Sequence, residues 1–555
     1  MFVQSTLTAL SLLSPAVGLQ SEFRPRCAYG DDCWPSDSTW KLFNDTVGGR
    51  LIRSVPSAAV CHAERYNANQ CAIAKSSWLD SFWKTNQTGG YAAMLWEMGE
   101  SGKCFVDTPV GAPCDQGIVP YYSVSVRNLE DVQASVKFAN EKNLYLVTKN
   151  TGHDHLGRSS GKGAFSIWTH NLKGIEWHDS FVPQGAPVDA SGMPAVTLQA
   201  GEQWFDVYQA AAKKEVLVVG GSARTVGAAG GYLLGGGHSP FAHDYGLAAD
   251  NLLEMGIVSA DGAHRVINPY SDPEYFWAVR GGGGSAWGVV TSVTYKTHPV
   301  PQTLLIGFVQ LNASDNSSLT DLLAGSMKLL PKVTDAGYTG YGNMDQRFEA
   351  IFLKPNGTVG SFNQTFAEFF NLSNAPGIQG AVGAYPSTWN EYLKTFLQDP
   401  NIGTNVQDTS RLLTASIIDE KAEDLAKLIV DNGGKGGFNF IGKVNNDERD
   451  NTAVNNIWKH SHALMSISID WADNATKSEK HEKRLQAVMM SKNFTKIVGA
   501  KGGTYINEAN PYEPDWQTVF WGDKYEILVE IKRRIDPTNL FACNRCVGGG
   551  LVLQP

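Results

Sequence analysis

The sequence predicts an α+β chain with two packed cores rather than a Rossmann fold. At 555 residues, 42% hydrophobic and 10% aromatic, it outruns the ~250–300 residues at which a single core stops growing. Its first half alternates short strands with amphipathic helices and is interrupted by three glycine-containing segments. The GxGxxA spacing of Gly281, Gly283 and Ala286 runs into the β-branched stretch Val289–Thr294. A dinucleotide fingerprint must open a helix, so this match lacks its context.

From the start of the chain, Phe2 to Gly18 is uncharged and mostly apolar or small, with Ala16 and Gly18 spaced as at a signal-peptidase site. A secretory signal over residues 1–18 is expected. The run is shorter than the ~20 residues of a membrane span and no later segment replaces it, so no membrane partner is expected. Cys27, Cys33, Cys61, Cys71, Cys104 and Cys114 crowd a cysteine-rich extension over residues 19–117, and Cys543 and Cys546 form a CxxC near the other end. An even count in an oxidising compartment reads as disulfides stapling the extension, with a link to the C-terminal pair among the possible connectivities. The CxxC lacks the second Cys/His pair a zinc site wants. Sequons at Asn44, Asn86, Asn312, Asn316, Asn356, Asn363, Asn371, Asn474 and Asn493 fit a secreted glycoprotein. A formal charge of −9 with scattered Lys and Arg offers no basic stripe, which argues against nucleic acid. Oligomeric state is not legible.

A strand over Ile118–Val126 leads to a helix capped by Asn128 and Asp131 with Leu129, Val132 and Val136 on its apolar face. The strand Leu144–Thr148 follows and delivers Asn150–Ser159, NTGHDHLGRS, at its end. Such a turn is built to wrap a phosphate-bearing cofactor: glycine backbone forms an anion-binding concavity, small residues allow close approach, and Arg158 adds charge. His153 is the side chain in it to test first; the bland readings are a surface turn or a metal pair with His155, as for His460 and His462. A helix Gln203–Lys213 and a strand Val216–Val219 lead to Gly220–Ser239, whose eight glycines imply close backbone approach. A strand-like Tyr275–Val279 precedes the cluster Gly281–Gly284, and Val289–Tyr295 is a further strand. From Leu304 to Ala500 the texture shifts to sequons, spaced aromatics and helices such as Lys477–Met490, as in a separate substrate domain. Thr504–Phe541 is expected to fold back toward the cofactor.

Taken together, NTGHDHLGRS, GGGHSPFAHDYGLAADN (Gly235–Asn251), FWAVRGGGGSAWGVVT (Phe276–Thr291), YINEAN (Tyr505–Asn510), WGDKY (Trp521–Tyr525) and DPTNLF (Asp536–Phe541) resemble the vanillyl-alcohol-oxidase superfamily, within it the berberine-bridge-enzyme-like branch. SSGKGAFSIWTH and the closing CNRCVGG look most like its secreted fungal, isoamyl-alcohol-oxidase-like members. The resemblance implies a PCMH-type FAD-binding domain of two subdomains over residues 118–300, an α/β substrate domain with an antiparallel sheet over 301–500, and a returning segment over 501–555. It implies FAD bonded covalently to His153, a single linkage because Ala223 stands where a second, cysteinyl link would form, and Val226 at a position thought to gate oxygen. The cofactor-binding set it implies comprises Asn150, Thr151, Gly152, His153, Asp154, Gly157, Arg158 and Ser159; Thr225, Val226, Gly227, Gly231, Gly235, Gly236, Gly237, His238, Asp250 and Asn251; and Gly288 and Val289.

The implied reaction is oxidation of an alcohol to a carbonyl, with hydride passing to flavin and oxygen reduced to hydrogen peroxide, so a proton acceptor is needed beside the ring. Where relatives carry a YxxY pair, this chain has Tyr505 and Glu508. Glu508 is the candidate base, its pKa expected to be raised by desolvation. Tyr505 is the fallback and Asn507 a group that orients substrate or flavin; the bland alternative pairs Glu508 with Lys524. Rival functions are a carbohydrate hemiacetal oxidase, a secondary-metabolite tailoring oxidase, and a secreted flavin-binding protein without catalysis.

Overall fold

The computed structural model describes residues 25–553 apart from 93–95, 99–102, 398, 400–401, 434, 445–450 and 550–552. The expected signal segment lies outside the described residues. Among the described residues, three larger sheets and one two-stranded sheet organise the chain. The first orders Leu51–Arg53, Tyr122–Ser125, Phe165–Trp168 and Leu146–Lys149, the last three parallel. Helix Leu129–Glu141 crosses between two of them, its start fixed by the Asn128 side chain accepting from Asp131 N, with Val132, Val136 and Ala139 buried. This crossover leaves the loop from Asn150 at a strand end.

The second sheet is antiparallel: Ile175–Phe181, Met193–Gln199, Val289–Lys296, Leu252–Val258, His264–Ile267. The strand after the third glycine cluster sits at its centre, which is incompatible with a Rossmann unit. Tyr275–Val279, read from the sequence as strand-like, instead belongs to helix Pro273–Val279. Asp272 caps it by accepting from Tyr275 N, and Pro273 opens it where a missing N–H is harmless. Of Val216–Val219, only Val216–Leu217 pairs, with His298–Pro299.

The third sheet has seven antiparallel strands: Ile378–Ser387, Leu304–Ala313, Arg347–Pro355, Thr339–Asp345, Lys435–Phe440, Ser461–Asp470 and Val406–Thr414. Alternation along the strands divides its faces. Phe348, Ala350, Phe352, Phe438, Phe440, Met465 and Ile467 enter a core with helices Asn316–Asp335, Ala415–Asp431 and Lys477–Val498. Tyr341, Asn343, Glu349, Ile351, Asn439, Ser466 and Ser468 line the cavity described below.

The cysteines pair locally, Cys27–Cys33, Cys61–Cys71, Cys104–Cys114 and Cys543–Cys546, so the staple between extension and C-terminal segment does not form. Seven of the nine sequon asparagines are exposed and Asn44 and Asn493 half-exposed, so a glycan would have room at each. Among the described residues no helix is long and apolar enough to cross a membrane.

Candidate active site

A cavity of about 800 Å³ gathers the first loop, Ser222, Ala223, Val226, Gly227, Gly230 and Gly231, His238, Gly284–Ser285, the polar face of the seven-stranded sheet and Tyr505–Glu508. Its size falls in the ~300–1,000 Å³ range of ligand sites. Glycine backbone forms much of one wall, at Gly152, Gly227, Gly230, Gly231 and Gly284. Gly152 has φ +83°, and a Cβ there would lie 3.0 Å from Gly90 O and 3.1 Å from Tyr91 Cα. The cysteine-rich extension therefore braces the loop from behind: Ala92 N donates to Gly152 O, Tyr91 Oη to Ser159 O, and Trp96 Nε1 to Asp154 O. Within the loop, the Asp154 carboxylate accepts from Leu156 N and from Ser159 N and Oγ, folding the turn on itself.

His153 lines the cavity, and its Nε2 lies 2.8 Å from Thr225 Oγ1. Burial drives its pKa down to about 4, against the pull of Asp399 and with a smaller push from His155, so the ring is neutral across the physiological range. Behind it, Asp399 Oδ1 accepts from both Thr225 N and Thr225 Oγ1 at 3.0 Å, while Asp399 Oδ2 accepts from Ser81 Oγ at 2.7 Å and pairs with Arg224.

Glu508 Oε1 lies 3.1 Å from His238 Nε2, and its Oε2 accepts from Asn439 Nδ2 at 3.2 Å. About a third of its side chain (36%) remains open. Burial pushes its pKa up, but His238, His155 and the Asn439 hydrogen bond together outweigh it and hold the carboxyl below its ordinary value. The expectation of a desolvation-raised Glu508 is thus corrected: the surrounding donors win, and the group is ionised. Lys524 does not pair with it; that ammonium donates to Thr452 O and Val454 O. Tyr505 stacks edge-on to His238 at 4.9 Å and its hydroxyl accepts from Asn507 Nδ2 at 2.8 Å. Burial and then Glu508 push the phenol's pKa far up, which disfavours a phenolate. Asn507 also donates to Tyr232 O, and a Cβ on Gly235 would fall 2.1 Å from its Oδ1, so that glycine permits the contact.

A second acid–histidine pair faces the cavity: His155 Nδ1 lies 3.5 Å from Asp408 Oδ2, whose Oδ1 accepts from Ser468 Oγ. Burial raises the Asp408 pKa, with His155 opposing.

A family model for an FAD binding domain matches residues 120–268, and a berberine and berberine-like model matches residues 504–548. An uncharacterised FAD-linked oxidoreductase of Arthroderma benhamiae is 56% identical, covering 100% of this chain and 99% of its own. The VAO-type flavoprotein oxidase VAO615 of Thermothelomyces thermophilus is 32% identical over 98% of this chain and 97% of its own. The crystal structure of the VAO-type flavoprotein MtVAO615 from Myceliophthora thermophila superposes with TM-score 0.86 at 30% identity, covering 94% of this chain and 97% of that one. The chain is an FAD-linked oxidoreductase of the VAO and berberine-bridge-like family. A chitooligosaccharide oxidase, at 15% identity and TM-score 0.62 over 78% of this chain and 92% of its own, shares the fold.

The residues of this oxidoreductase fit FAD. The bare glycine wall admits a flat, phosphate-bearing ligand, and a neutral imidazole borders the same space. Asn150, Thr151, Gly152, His153, Asp154, Arg158, Ser159, Val226, Gly227, Gly231, His238, Tyr505, Asn507 and Glu508 all line the cavity. Three of the five N–H groups of Arg158 donate to Asn544 O, Arg545 O and Gly284 O, so it ties the C-terminal segment to the loop while lining the cavity. Thr225, Gly157, Gly235, Gly236, Gly237, Asp250, Asn251, Gly288 and Val289 stand outside the lining. Thr225 supports His153 from behind. Asp250 accepts from Leu247 N, and Asn251 donates to Tyr245 O and Leu247 O and meets His298 Nε2 at 2.7 Å, so both shape the turn leading into the second sheet. Val289 is core, paired with Val258, and a Cβ on Gly288 would press 2.6 Å against Val258 O.

Sequence reasoning missed Asp399, Asp408, Asn439 and the bracing residues Tyr91 and Trp96. A usable signal existed only at Ser466 and Ser468, which alternate with Met465, Ile467 and Ile469 as on a strand with one polar face.

Proposed function

We propose that this protein is a secreted, N-glycosylated oxidase that converts an alcohol to a carbonyl and passes the electrons to dioxygen, releasing hydrogen peroxide, with FAD held covalently through His153. FAD, when bound, supplies the hydride acceptor. The observation that carries the reading is the Glu508 carboxyl, 3.1 Å from His238 Nε2 and accepting from Asn439 Nδ2, at the wall shared with the flavin-loop residues. Glu508 accepts the substrate hydroxyl proton as the adjacent C–H bond breaks, while His238 Nε2, 3.1 Å from Oε1, holds the carboxylate in position. Asn507 holds Tyr505 and Tyr232 in register, fixing the floor beneath that proton acceptor. His155 with Asp408, and Asn439, provide further polar contacts for an oxygen-bearing substrate. Every cysteine of the chain is tied in a disulfide and Ala223 borders the cavity, which supports a single, histidyl linkage.

Four disulfides and exposed sequons support an extracellular setting. The test is a panel of primary and secondary alcohols, sugars and aromatic alcohols, with flavin bleaching read anaerobically and peroxide in air. Bleaching by an alcohol with stoichiometric peroxide supports the reading. Slow reoxidation of the photoreduced protein in air would exclude an oxidase.

A further inference from the structure

We propose that Thr225 and Asp399 form a proton relay that selects the tautomer of His153 and drains its proton as the flavin bond forms. The inference rests on the covalent reading above and assigns residues to the attachment step itself. Asp399 comes from the chain between helix Trp389–Thr395 and strand Val406–Thr414, far in sequence from the flavin loop, yet its Oδ1 lies 3.0 Å from Thr225 Oγ1, which lies 2.8 Å from His153 Nε2. Thr225 is fully buried.

The direction of each hydrogen bond follows from what the groups can do. Thr225 Oγ1 donates to Asp399 Oδ1, which uses the single hydroxyl proton. The Thr225 oxygen can then only accept from the ring, which places the imidazole proton on Nε2 and leaves the lone pair on Nδ1. Thr225 N, also donating to Asp399 Oδ1, and Ser81 Oγ, donating to Oδ2, hold the carboxylate in place. Arg224 Nε, 3.3 Å from Oδ2, adds a positive charge to the same group.

During attachment His153 Nδ1 forms a bond to the flavin 8α-carbon while that methyl loses one C–H proton. The ring, now substituted at Nδ1, gives up its Nε2 proton to Thr225 as the hydroxyl proton passes to Asp399. The two electrons leave through the flavin to dioxygen, which takes up both protons and departs as hydrogen peroxide. Without the relay the Nε2 proton stays on an imidazolium, the charged form that burial of His153 disfavours.

The test uses full-length protein from a riboflavin-limited host, given FAD and sampled over time for flavin that stays with acid-precipitated polypeptide, with the bonded residue located by peptide mass. Wild type should bond at His153. Thr225→Val, which keeps the shape but neither donates nor accepts, and Asp399→Asn, which keeps an acceptor oxygen but is a poor base, should bind FAD yet bond it about a hundredfold more slowly, as for loss of a positioned proton acceptor. Thr225→Ser should restore the rate. Total flavin bound and thermal melting separate misfolding from slow bonding, and the Asn variant decides the matter if the Val variant does not fold. Wild-type rates in both variants would overturn the relay while leaving the His153 linkage intact. A wild-type protein with no acid-stable flavin, or with flavin bonded elsewhere, would overturn the linkage and the relay with it.

Discussion

Arg411 and Glu513 join the strand that carries Asp408 to the segment that carries Tyr505 and Glu508, and replacing Glu513 by Gln should loosen that joint measurably. The pair is fully buried, with side chains 0% and 1% exposed. Arg411 Nη2 lies 2.7 Å from Glu513 Oε1 and Nη1 3.1 Å from Oε2; the guanidinium also donates to Ser410 O, Ser491 O and Thr495 Oγ1. Gln removes the charge and turns one accepting oxygen into a donor facing another donor. Breaking a buried pair from one side costs about 3–5 kcal/mol, and the three remaining acceptors favour the lower figure. About 3 kcal/mol is a roughly hundredfold rise in local opening. Hydrogen exchange of the amides over residues 406–414 reads it directly, without assuming that so large a chain unfolds in one step. Arg411→Met with Glu513→Leu leaves no stranded charge and should recover most of the protection. Exchange in Glu513→Gln equal to wild type, or a double variant worse than the single one, would refute the reasoning.

Glu508→Gln should lower flavin reduction by an alcohol substrate about 10²–10⁴-fold while air reoxidation of the photoreduced protein is unchanged; a loss below tenfold would move the base elsewhere. Burial holds His170 at about 3 and His298 at about 4 in the folded chain. An unfolded histidine takes its proton near pH ~6.5. Stability from both is therefore complete above that pH and is lost as pH falls toward the folded values, at up to ~1.4 kcal/mol per pH unit for each group; melting temperatures flat from pH 7 to about 4.5 would contradict this. In a His153→Ala background, Trp96→Phe deletes the bond to Asp154 O and should weaken FAD binding about fivefold, on the ~1 kcal/mol scale of one hydrogen bond, as read by flavin fluorescence titration.

The first sheet and the loop at its end were legible because their signals are local: Asn128 and Asp131 open a helix, and a β-branched strand runs straight into NTGHDHLGRS. The helix at Pro273 was not, because an apolar run of that length satisfies either period and only the Asp-Pro start distinguishes them. Glu508 could be singled out by its spacing from Tyr505, but the sign of its pKa shift could not, since His238 and Asn439 reach it through tertiary folding. Asp399 and Asp408 carry no local mark at all. Arg158 was legible as a charge in its loop, but its bonds to carbonyls almost four hundred residues later in the chain are a contact no window of sequence reveals.

The most direct measurement is the absorption spectrum of the purified protein before and after acid precipitation, followed by mass analysis of the peptide containing His153. Yellow colour retained in the pellet, FAD mass on that peptide, and colour released by His153→Ala are the expected results. A protein that stays colourless when supplied with FAD, or a flavin that washes entirely into the acid supernatant, would contradict the account.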